Sequence, residues 1–233
     1  MNQLLLIGNS RWHWAEQSGQ GLRCWHATAP ADVASVQPAL RAWAAVGEVP
    51  PALLAAPVRR IGLADVPLRG LPPWLGVDRA LVGWRAWQQQ GNGVLVADAG
   101  TALSLTRIDA GGHFAGGLIS AGVALQLRAL GAATAALPSL AHDAPQGSSS
   151  ERWPTTTVEA MHTGCLQATA AAVAAAWRDL QAQPRAGVSQ LWLTGGDAER
   201  LAPLLHAQQL KPHLAPDLVM EALAALPVVG LLR

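Results

Sequence analysis

Two stretches of the chain share one pattern of apolar and polar positions. Residues 4–10 read LLLIGNS and residues 94–101 read VLVADAGT, so each is an apolar run that ends in a glycine turn. Short apolar runs bounded by turn residues are typical of buried strands. Aligning the turns pairs Gly8 with Gly100, Asn9 with Thr101 and Leu6 with Asp98. The sequence therefore predicts two similar strand-turn units, of which one carries a carboxylate where the other carries a leucine.

Each run is followed by a predicted antiparallel meander and then by a helical pattern. The meander strands are SRWHWAEQ and LRCWHA in the first copy, and ALSLTRI and HFAGGLIS in the second copy. Alternating apolar and polar residues around Gly-rich turns indicate strands of this kind. The helical spacing covers residues 31–46 and 121–136. This duplication favours an α/β fold of two similar domains, with mixed sheets flanked by helices and a nucleotide in the cleft between them.

The remaining segments complete both copies. One strand is predicted from residues 53–58 and 60–64 and another at 191–196. Helices are predicted at 78–90 and 156–180, and the remainder after residue 196 is predicted to be helical. The Gly-Asn-Gly of 91–93 marks the boundary between domains 1–92 and 93–233. Residues 138–153 are polar and rich in Pro and Ser, and this composition predicts a mobile loop that could serve as a lid.

Composition and charge exclude several classes of protein. The chain has 233 residues, 51% of them apolar, and a net charge of +1 without a basic run, so a globular fold is expected and nucleic acid is not. The two cysteines, Cys24 and Cys165, lie far apart and predict neither a disulfide framework nor a zinc site. Because no long apolar stretch or leader is evident, we expect a cytoplasmic protein that does not contact a membrane. No Gly-Lys-Ser/Thr occurs, which excludes a Walker A loop.

The glycine turns are the main candidates for chemistry. Backbone amides at such turns can bind phosphate oxygens without a lysine, and a third turn at 194–197 follows another apolar strand. Asp98 is either a hydrogen-bonded turn residue or the ligand of a hard cation. Asp78 and Arg79 could simply begin a helix. His13, His113 and His162 have no metal-ligand spacing, and Ser120 lacks the hydrolase elbow.

Together these motifs resemble the type III pantothenate kinases, members of the actin-like, sugar-kinase superfamily built from two ribonuclease-H-like domains. The matching segments are IGNSR at 7–11, PPWLGVDR at 72–79, DAGTALS at 98–104, GGLISAGVALQLRAL at 116–130, TVEAMHTG at 157–164, TGGDA at 194–198 and PDLVMEAL at 216–223. The resemblance implies phosphorylation of pantothenate by ATP with magnesium, a potassium or ammonium ion, and a homodimer.

The resemblance also implies roles for individual residues. Asp78 is the expected general base, and the substrate-binding positions are Arg69, Gly76, Val77, Asp78, Arg79 and Thr157. Asp98 is the expected ligand of the monovalent cation. The nucleotide-binding positions are Leu6, Ile7, Gly8, Asn9, Ser10, Arg11, Trp12, His13 and Thr101. Thr157 is expected to act at a dimer interface.

Three positions depart from the family pattern. Leu6 stands where the first turn normally begins with Asp, His13 stands where Lys is common, and Arg69 stands where the substrate site has a Tyr. These departures leave two alternatives to an active pantothenate kinase. One is a catalytically impaired homologue that acts as a regulatory or binding protein. The other is a kinase of a different small alcohol, an alternative suggested by Arg69 at the substrate site.

Overall fold

The computed structural model describes residues 3–30, 32, 38–140, 152–183 and 187–231. The chain forms two compact units. Unit 1 contains Met1–Gly93, Ile108–Ala115 and Asp217–Arg233, and unit 2 contains Val94–Arg107 and Gly116–Pro216. The sequence-based division at residue 93 differs from this grouping, because two later segments return to unit 1.

Unit 1 is built on a five-stranded mixed sheet. Its strands are β1 (Gln3–Ile7), β2 (Trp12–Ser18), β3 (Gly21–Ala27), β4 (Leu40–Ala45) and β5 (Arg59–Arg60). The order is β3-β2-β1-β4-β5. Strands β1, β2 and β3 pair antiparallel, whereas β4 runs parallel to β1 and to β5. The predicted three-strand meander is therefore confirmed.

Unit 2 carries a second five-stranded sheet. Its strands are β6 (Gly93–Ala99), β7 (Ala102–Ile108), β8 (Phe114–Ala121), β9 (Val188–Thr194) and β10 (His213–Leu214). The order is β10-β9-β6-β7-β8, so the first, second and third strands of this sheet neighbour one another as they do in unit 1. The duplication read from the sequence is thus a duplication of topology, and the predicted α/β class with mixed sheets is confirmed.

Seven helices flank the strands in the described part of the chain. They are α1 (Pro51–Leu54), α2 (Val77–Gln90), α3 (Val123–Ala133), α4 (Thr157–Ala182), α5 (Ala198–Ala207), α6 (Leu218–Ala225) and α7 (Pro227–Gly230). Helix α2 ends at Gly91, which has the left-handed backbone that glycine adopts without strain. Helix α4 begins with Thr156 as its N-cap, whose hydroxyl accepts a hydrogen bond from the Glu159 amide.

Two predicted elements are wrong. The helical spacing over 31–46 does not give a helix at residues 40–45, which form β4; residues 31 and 33–37 lie outside the described part. Strand pairing with β1 and burial on both faces outweigh the helix propensity of this Ala-rich segment, because Ala42 lies in one core and Trp43 in another. The strand predicted from residues 53–58 and 60–64 is reduced to β5, because Pro51 starts a short helix and Leu63–Asp65 form a 3-10 turn.

The apolar cores explain why the C-terminal segment joins unit 1. Met220, Ala222 and Leu223 of α6 are buried in a cluster with residues of β1, β4 and α2. In unit 2, β6, β7 and β9 pack against α4 and α5 around Leu193. No helix among the described residues is both long and apolar enough to cross a membrane. Most of the loop predicted as a lid, residues 141–151, lies outside the described residues.

Candidate active site

The first glycine turn is held tightly against the turn that follows β4. The Ile7 carbonyl accepts hydrogen bonds from the amides of Val46 (2.9 Å) and Gly47 (3.1 Å), and the Gly8 amide donates to the Arg11 carbonyl at 3.0 Å. A Cβ at position 47 would clash with the Gly8 carbonyl. Gly47 is therefore needed where the two turns touch, and these backbone contacts preorganise the β1 turn.

The candidates around this turn divide into exposed and buried residues. Asn9, Ser10 and Arg11 are exposed, and His13 is half-buried. Their positions leave them accessible to a ligand at the turn. The remaining side chains, those of Leu6, Ile7 and Trp12, lie in the cores of unit 1 and have at most 5% of their surface exposed. Leu6 thus contributes packing at the position that was aligned with Asp98.

Asp78 lies one residue inside the N-terminus of α2. Its Oδ1 accepts a hydrogen bond of 2.8 Å from the Arg79 amide, and a Cβ at Gly76 would clash with that same oxygen. Burial raises the pKa of the Asp78 carboxyl, while the Arg79 amide and the Arg79 charge act in the opposite direction. A Cβ at Gly76 would also lie 3.5 Å from Val46 Cγ1, so this helix start adjoins the turn after β4 that supports Gly8. Unit 1 therefore brings a carboxylate with a raised pKa close to the glycine turn that is the candidate for phosphate binding.

Arg79 is almost buried, with 7% of its surface exposed. Burial lowers the pKa of its guanidinium, while the Asp78 carboxylate raises it. A buried arginine beside a carboxylate stabilises the charged form of that carboxylate and can order the loop around it.

The second glycine turn converges with the third one in unit 2. Gly195 has φ +92°, and a Cβ there would lie 2.5 Å from Asp98 Oδ1 and 2.7 Å from the Ala99 nitrogen. The Asp197 amide donates to the Ala99 carbonyl at 3.0 Å. Only glycine satisfies both the backbone conformation and the close approach. The Asp98 carboxylate, which is half-buried, therefore lies directly against the turn after β9.

Gly122 completes this cluster from the start of α3. Its amide donates to the Thr101 carbonyl at 3.1 Å, and a Cβ at position 122 would clash with the Gly100 carbonyl. The Gly100 amide in turn donates to the Ala102 carbonyl at 3.2 Å. Thr101 is half-buried beside these groups. Three glycine-containing turns thus bring the Thr101 hydroxyl and the Asp98 carboxylate into one region of unit 2.

Two of the three remaining substrate candidates lie at the surface. The Arg69 side chain is exposed. Its backbone pairs with the tip of the β7–β8 hairpin: the Arg69 amide donates to the Gly112 carbonyl, and the Arg69 carbonyl accepts from the Phe114 amide. Thr157 is exposed in the first turn of α4. Val77 is buried in the core of unit 1, so a ligand could use only its backbone.

Two carboxylates of unit 2, those of Asp197 and Glu159, have partners within that unit. Asp197 pairs with Arg200 at 2.7 Å in unit 2, and Glu159 accepts a hydrogen bond from the Thr156 hydroxyl at the start of α4. Among the described residues, no group of three or more His, Cys, Asp and Glu side chains could hold a metal ion. A cation bound to the Asp98 carboxylate would need further ligands from the backbone, the nucleotide or water.

Sequence reasoning missed three residues. Gly47 and Gly122 are required by close backbone contacts, which no local pattern reveals. His26 lies directly opposite His13 across the β2–β3 hairpin. This last contact could have been found, because a hairpin that turns at Ser18–Gly21 places residues 13 and 26 opposite each other.

Comparisons with known proteins identify one family. A family model described as type III pantothenate kinase matches residues 27–179. The chain is 39% identical to a type III pantothenate kinase of Synechococcus elongatus over 92% of its length and 93% of the relative. It is 42% identical to the one of Thermosynechococcus vestitus, with 86% and 79% covered.

Two solved structures share the fold. One is a protein from Campylobacter jejuni described as a Baf family transcriptional activator, with TM-score 0.63, 17% identity and 98% of each chain covered. The other is the activator of 2-hydroxyisocaproyl-CoA dehydratase from Clostridium difficile with bound ADPNP, with TM-score 0.55, 10% identity, and 98% and 94% covered. At these identities the likeness shows the fold alone.

Proposed function

This chain belongs to the type III pantothenate kinase family, and we propose that it transfers the γ-phosphoryl group of ATP to the primary hydroxyl of pantothenate. That reaction is the first step of coenzyme A biosynthesis. The observation that carries the proposal is Asp78, a half-buried carboxylate at the start of α2, where Gly76 adjoins the Val46 side chain of the turn that supports Gly8. The family match over most of the chain supports the same conclusion.

Asp78 serves as the general base. The attacking hydroxyl must lose its proton as the new P–O bond forms, and a carboxylate whose pKa is raised by burial accepts that proton more readily. Arg79 binds the pantothenate carboxylate or orders the loop that bears Asp78. Gly76 and the Val77 backbone give the substrate close access to the helix start, and Arg69 and Thr157 complete the substrate contacts.

The nucleotide phosphates bind to the glycine turns. Gly8, Asn9, Ser10, Arg11 and His13 supply the accessible groups in unit 1, and Thr101 supplies a hydroxyl in unit 2. Backbone amides and hydroxyls suffice for this role because a glycine turn can bind oxyanions without a lysine. Leu6, Ile7 and Trp12 support the turn from the core and do not contact the nucleotide through their side chains.

The two cations fit the chain unequally. Asp98 offers a half-buried carboxylate oxygen beside backbone turns, a donor set that suits a hard monovalent cation such as potassium or ammonium. At the position where the family pattern has Asp, the chain has Leu6, whose side chain is buried in the core and cannot bind magnesium. We expect it to be held chiefly by the ATP phosphates, where it neutralises their charge.

The exposed apolar residues of unit 2 favour a homodimer. They cluster in sequence on β8, on α3 and near the start of α4, and comprise Leu118, Ile119, Leu125, Trp153 and Val158. Strand β8 is an edge strand, and exposed apolar edges invite pairing. Burial of the exposed residues around Val158 against a second copy would bring Thr157 to the interface. Light scattering on the purified protein measures the expected dimer mass, and Ile119→Lys should shift it toward the monomer.

The decisive experiment measures ADP release with pantothenate, ATP and magnesium, in potassium or in sodium. We expect turnover that requires pantothenate and is faster in potassium. Asp78→Asn should lower kcat by roughly 10²- to 10⁴-fold, the usual contribution of general base catalysis, with an unchanged unfolding midpoint. Wild-type turnover by Asp78→Asn would refute the role of this residue.

The matched control for Asp78→Asn is Asp109→Asn, which removes an exposed carboxylate of the hairpin tip and should leave kcat unchanged. If the folded wild-type protein is inactive with pantothenate but phosphorylates another alcohol, Arg69 becomes the first residue to test for acceptor choice. If the protein binds ATP but transfers no phosphoryl group to any acceptor, the result supports the alternative of a regulatory or binding protein.

A further inference from the structure

His13 and His26 form a contact that the proposed reaction does not yet use. They are directly opposite each other on β2 and β3. Their Nδ1 atoms are 3.0 Å apart, and the rings meet edge to face with centroids separated by 4.8 Å. A distance of 3.0 Å between two imidazole nitrogens requires that one of them donates a proton and the other accepts it.

The second nitrogen of His13 is directed at the first glycine turn. A Cβ placed on Gly8 would lie 3.3 Å from His13 Nε2, so this nitrogen lies beside the turn backbone. His13 is half-buried, whereas His26 is exposed at the outer strand of the sheet. The pair therefore connects a solvent-exposed imidazole to a nitrogen at the turn.

The surroundings of His13 keep its ring neutral at pH 7. Burial, the charge of His26 and the charge of Arg11 lower the pKa of His13 to about 4. Directly opposite on β1 stands Leu6, which brings no carboxylate to offset these effects. A neutral His13 carries its proton on one ring nitrogen only. Phosphate oxygens only accept hydrogen bonds, so a His13 Nε2 that faces them is the protonated nitrogen, and His13 Nδ1 then accepts a hydrogen bond from His26 Nδ1.

We propose that His26 is a positioning residue that holds His13 in the neutral tautomer protonated at Nε2, so that His13 presents a hydrogen-bond donor to the nucleotide phosphates at the Gly8 turn. This proposal rests on the proposed function for the identity of the ligand, which is the nucleotide phosphates. The tautomer follows from that ligand, the contact between the rings and the direction of Nε2. A turn without lysine thereby gains a fixed donor without burying a charge.

Long-range ¹H–¹⁵N correlation spectra of the histidine-labelled protein test the tautomer directly. In the full-length wild type at pH 7, His13 should show a protonated Nε2 and an unprotonated Nδ1. In His26→Leu it should show a mixture of tautomers, and in His26→Gln, whose amide can donate to Nδ1, the wild-type pattern should return. An Nδ1-protonated His13 in the wild type, or an unchanged spectrum in His26→Leu, overturns the proposal.

Nucleotide binding tests the second half. Addition of the non-hydrolysable analogue ADPNP with magnesium should shift the His13 Nε2 signal, and His26→Leu should weaken ADPNP binding about fivefold, as expected for a neutral hydrogen bond that is no longer aligned. His206→Leu, which removes an exposed histidine of α5, is the matched control and should bind like the wild type. ADPNP binding that leaves the Nε2 signal unmoved refutes the phosphate contact. Failure of the proposed function is a separate outcome, read from pantothenate turnover by the wild type.

Discussion

The strand that ends at Ile7 and the strand that ends at Ala99 occupy the same place in sheets of the same order, yet they end in different chemistry. In unit 2, Asp98 lies half-buried against the backbone of Gly195. In unit 1 the aligned residue, Leu6, is packed in the core, and the carboxylate that we propose as the general base is Asp78 on a helix instead. The two copies share the glycine turn, for which we propose oxyanion binding, and differ in the side chain that precedes it.

Both turns depend on glycines at close contacts with a following loop. Gly47 touches the Gly8 carbonyl in unit 1, and Gly195 touches the Ala99 backbone in unit 2. The turns are thus built by the same device, a glycine after the fourth strand of each sheet. The difference between them lies in the side chain at the end of the strand, and it can be tested by substitution.

The largest effect is expected when unit 1 is given the carboxylate of unit 2. Leu6→Asp places a charge in an apolar cluster and should lower the free energy of unfolding by about 4 kcal/mol. Adding His13→Lys on the facing strand should recover about 1 kcal/mol through a cross-strand ion pair. Urea denaturation of the four proteins of this cycle measures both values. A fully stable Leu6→Asp protein would show that the turn still accommodates a carboxylate.

Truncation at the two aligned positions should separate packing from function. Leu6→Ala removes a side chain that is 97% buried and should cost about 3 kcal/mol of unfolding free energy. Asp98→Ala removes a half-buried polar group at a turn and should cost less than about 1 kcal/mol. Chemical denaturation of both variants in the same buffer measures the contrast. Equal losses would mean that Asp98 is a structural turn residue.

How far the sequence predicts this molecule depends on the range of the interactions involved. The meanders, α2, α3, α4 and the glycine turns follow from local spacing, and all were predicted. Strand β4 was not predicted, because its Ala-rich sequence favours a helix until pairing with β1 is available. The return of α6 to unit 1 is likewise a tertiary contact, since nothing in its own sequence distinguishes the core that it joins.

The candidate site shows the same limit. Asp78, Asp98 and Thr101 were selected from motifs, because their backbone turns have a recognisable sequence. The burial that raises the pKa of Asp78 is not visible in its motif, and the contact of Gly195 with Asp98 joins two segments remote in sequence. The sequence could name the candidate groups, but it could not give their environment.

A functional comparison of the same two positions should give a smaller effect. Asp98→Asn keeps the shape of the side chain and removes its charge, so potassium should no longer accelerate turnover, and kcat in potassium should fall roughly tenfold, or about 1.4 kcal/mol. Leu6→Met, a volume-conserving change in the core, should keep the wild-type response to potassium. ADP release at varied potassium concentration measures both. Retained potassium activation in Asp98→Asn would move the cation site elsewhere.

The smallest effect concerns the dependence of stability on pH in the turn of unit 1. The pKa of His13 falls from 6.5 to about 4 on folding, because burial and the charges of His26 and Arg11 disfavour its protonated form. Between these values the unfolded chain binds the proton that the folded chain excludes, so stability falls as the pH is lowered through this window. Since His13 is only half-buried, the wild type should lose about 1 kcal/mol more than His13→Gln between pH 7 and pH 5. Urea unfolding followed by tryptophan fluorescence measures the difference. Equal losses of unfolding free energy in the two proteins would show that the pKa of His13 is not lowered by folding. His13 would then be charged at pH 5, contrary to its proposed role as a neutral donor at the first turn.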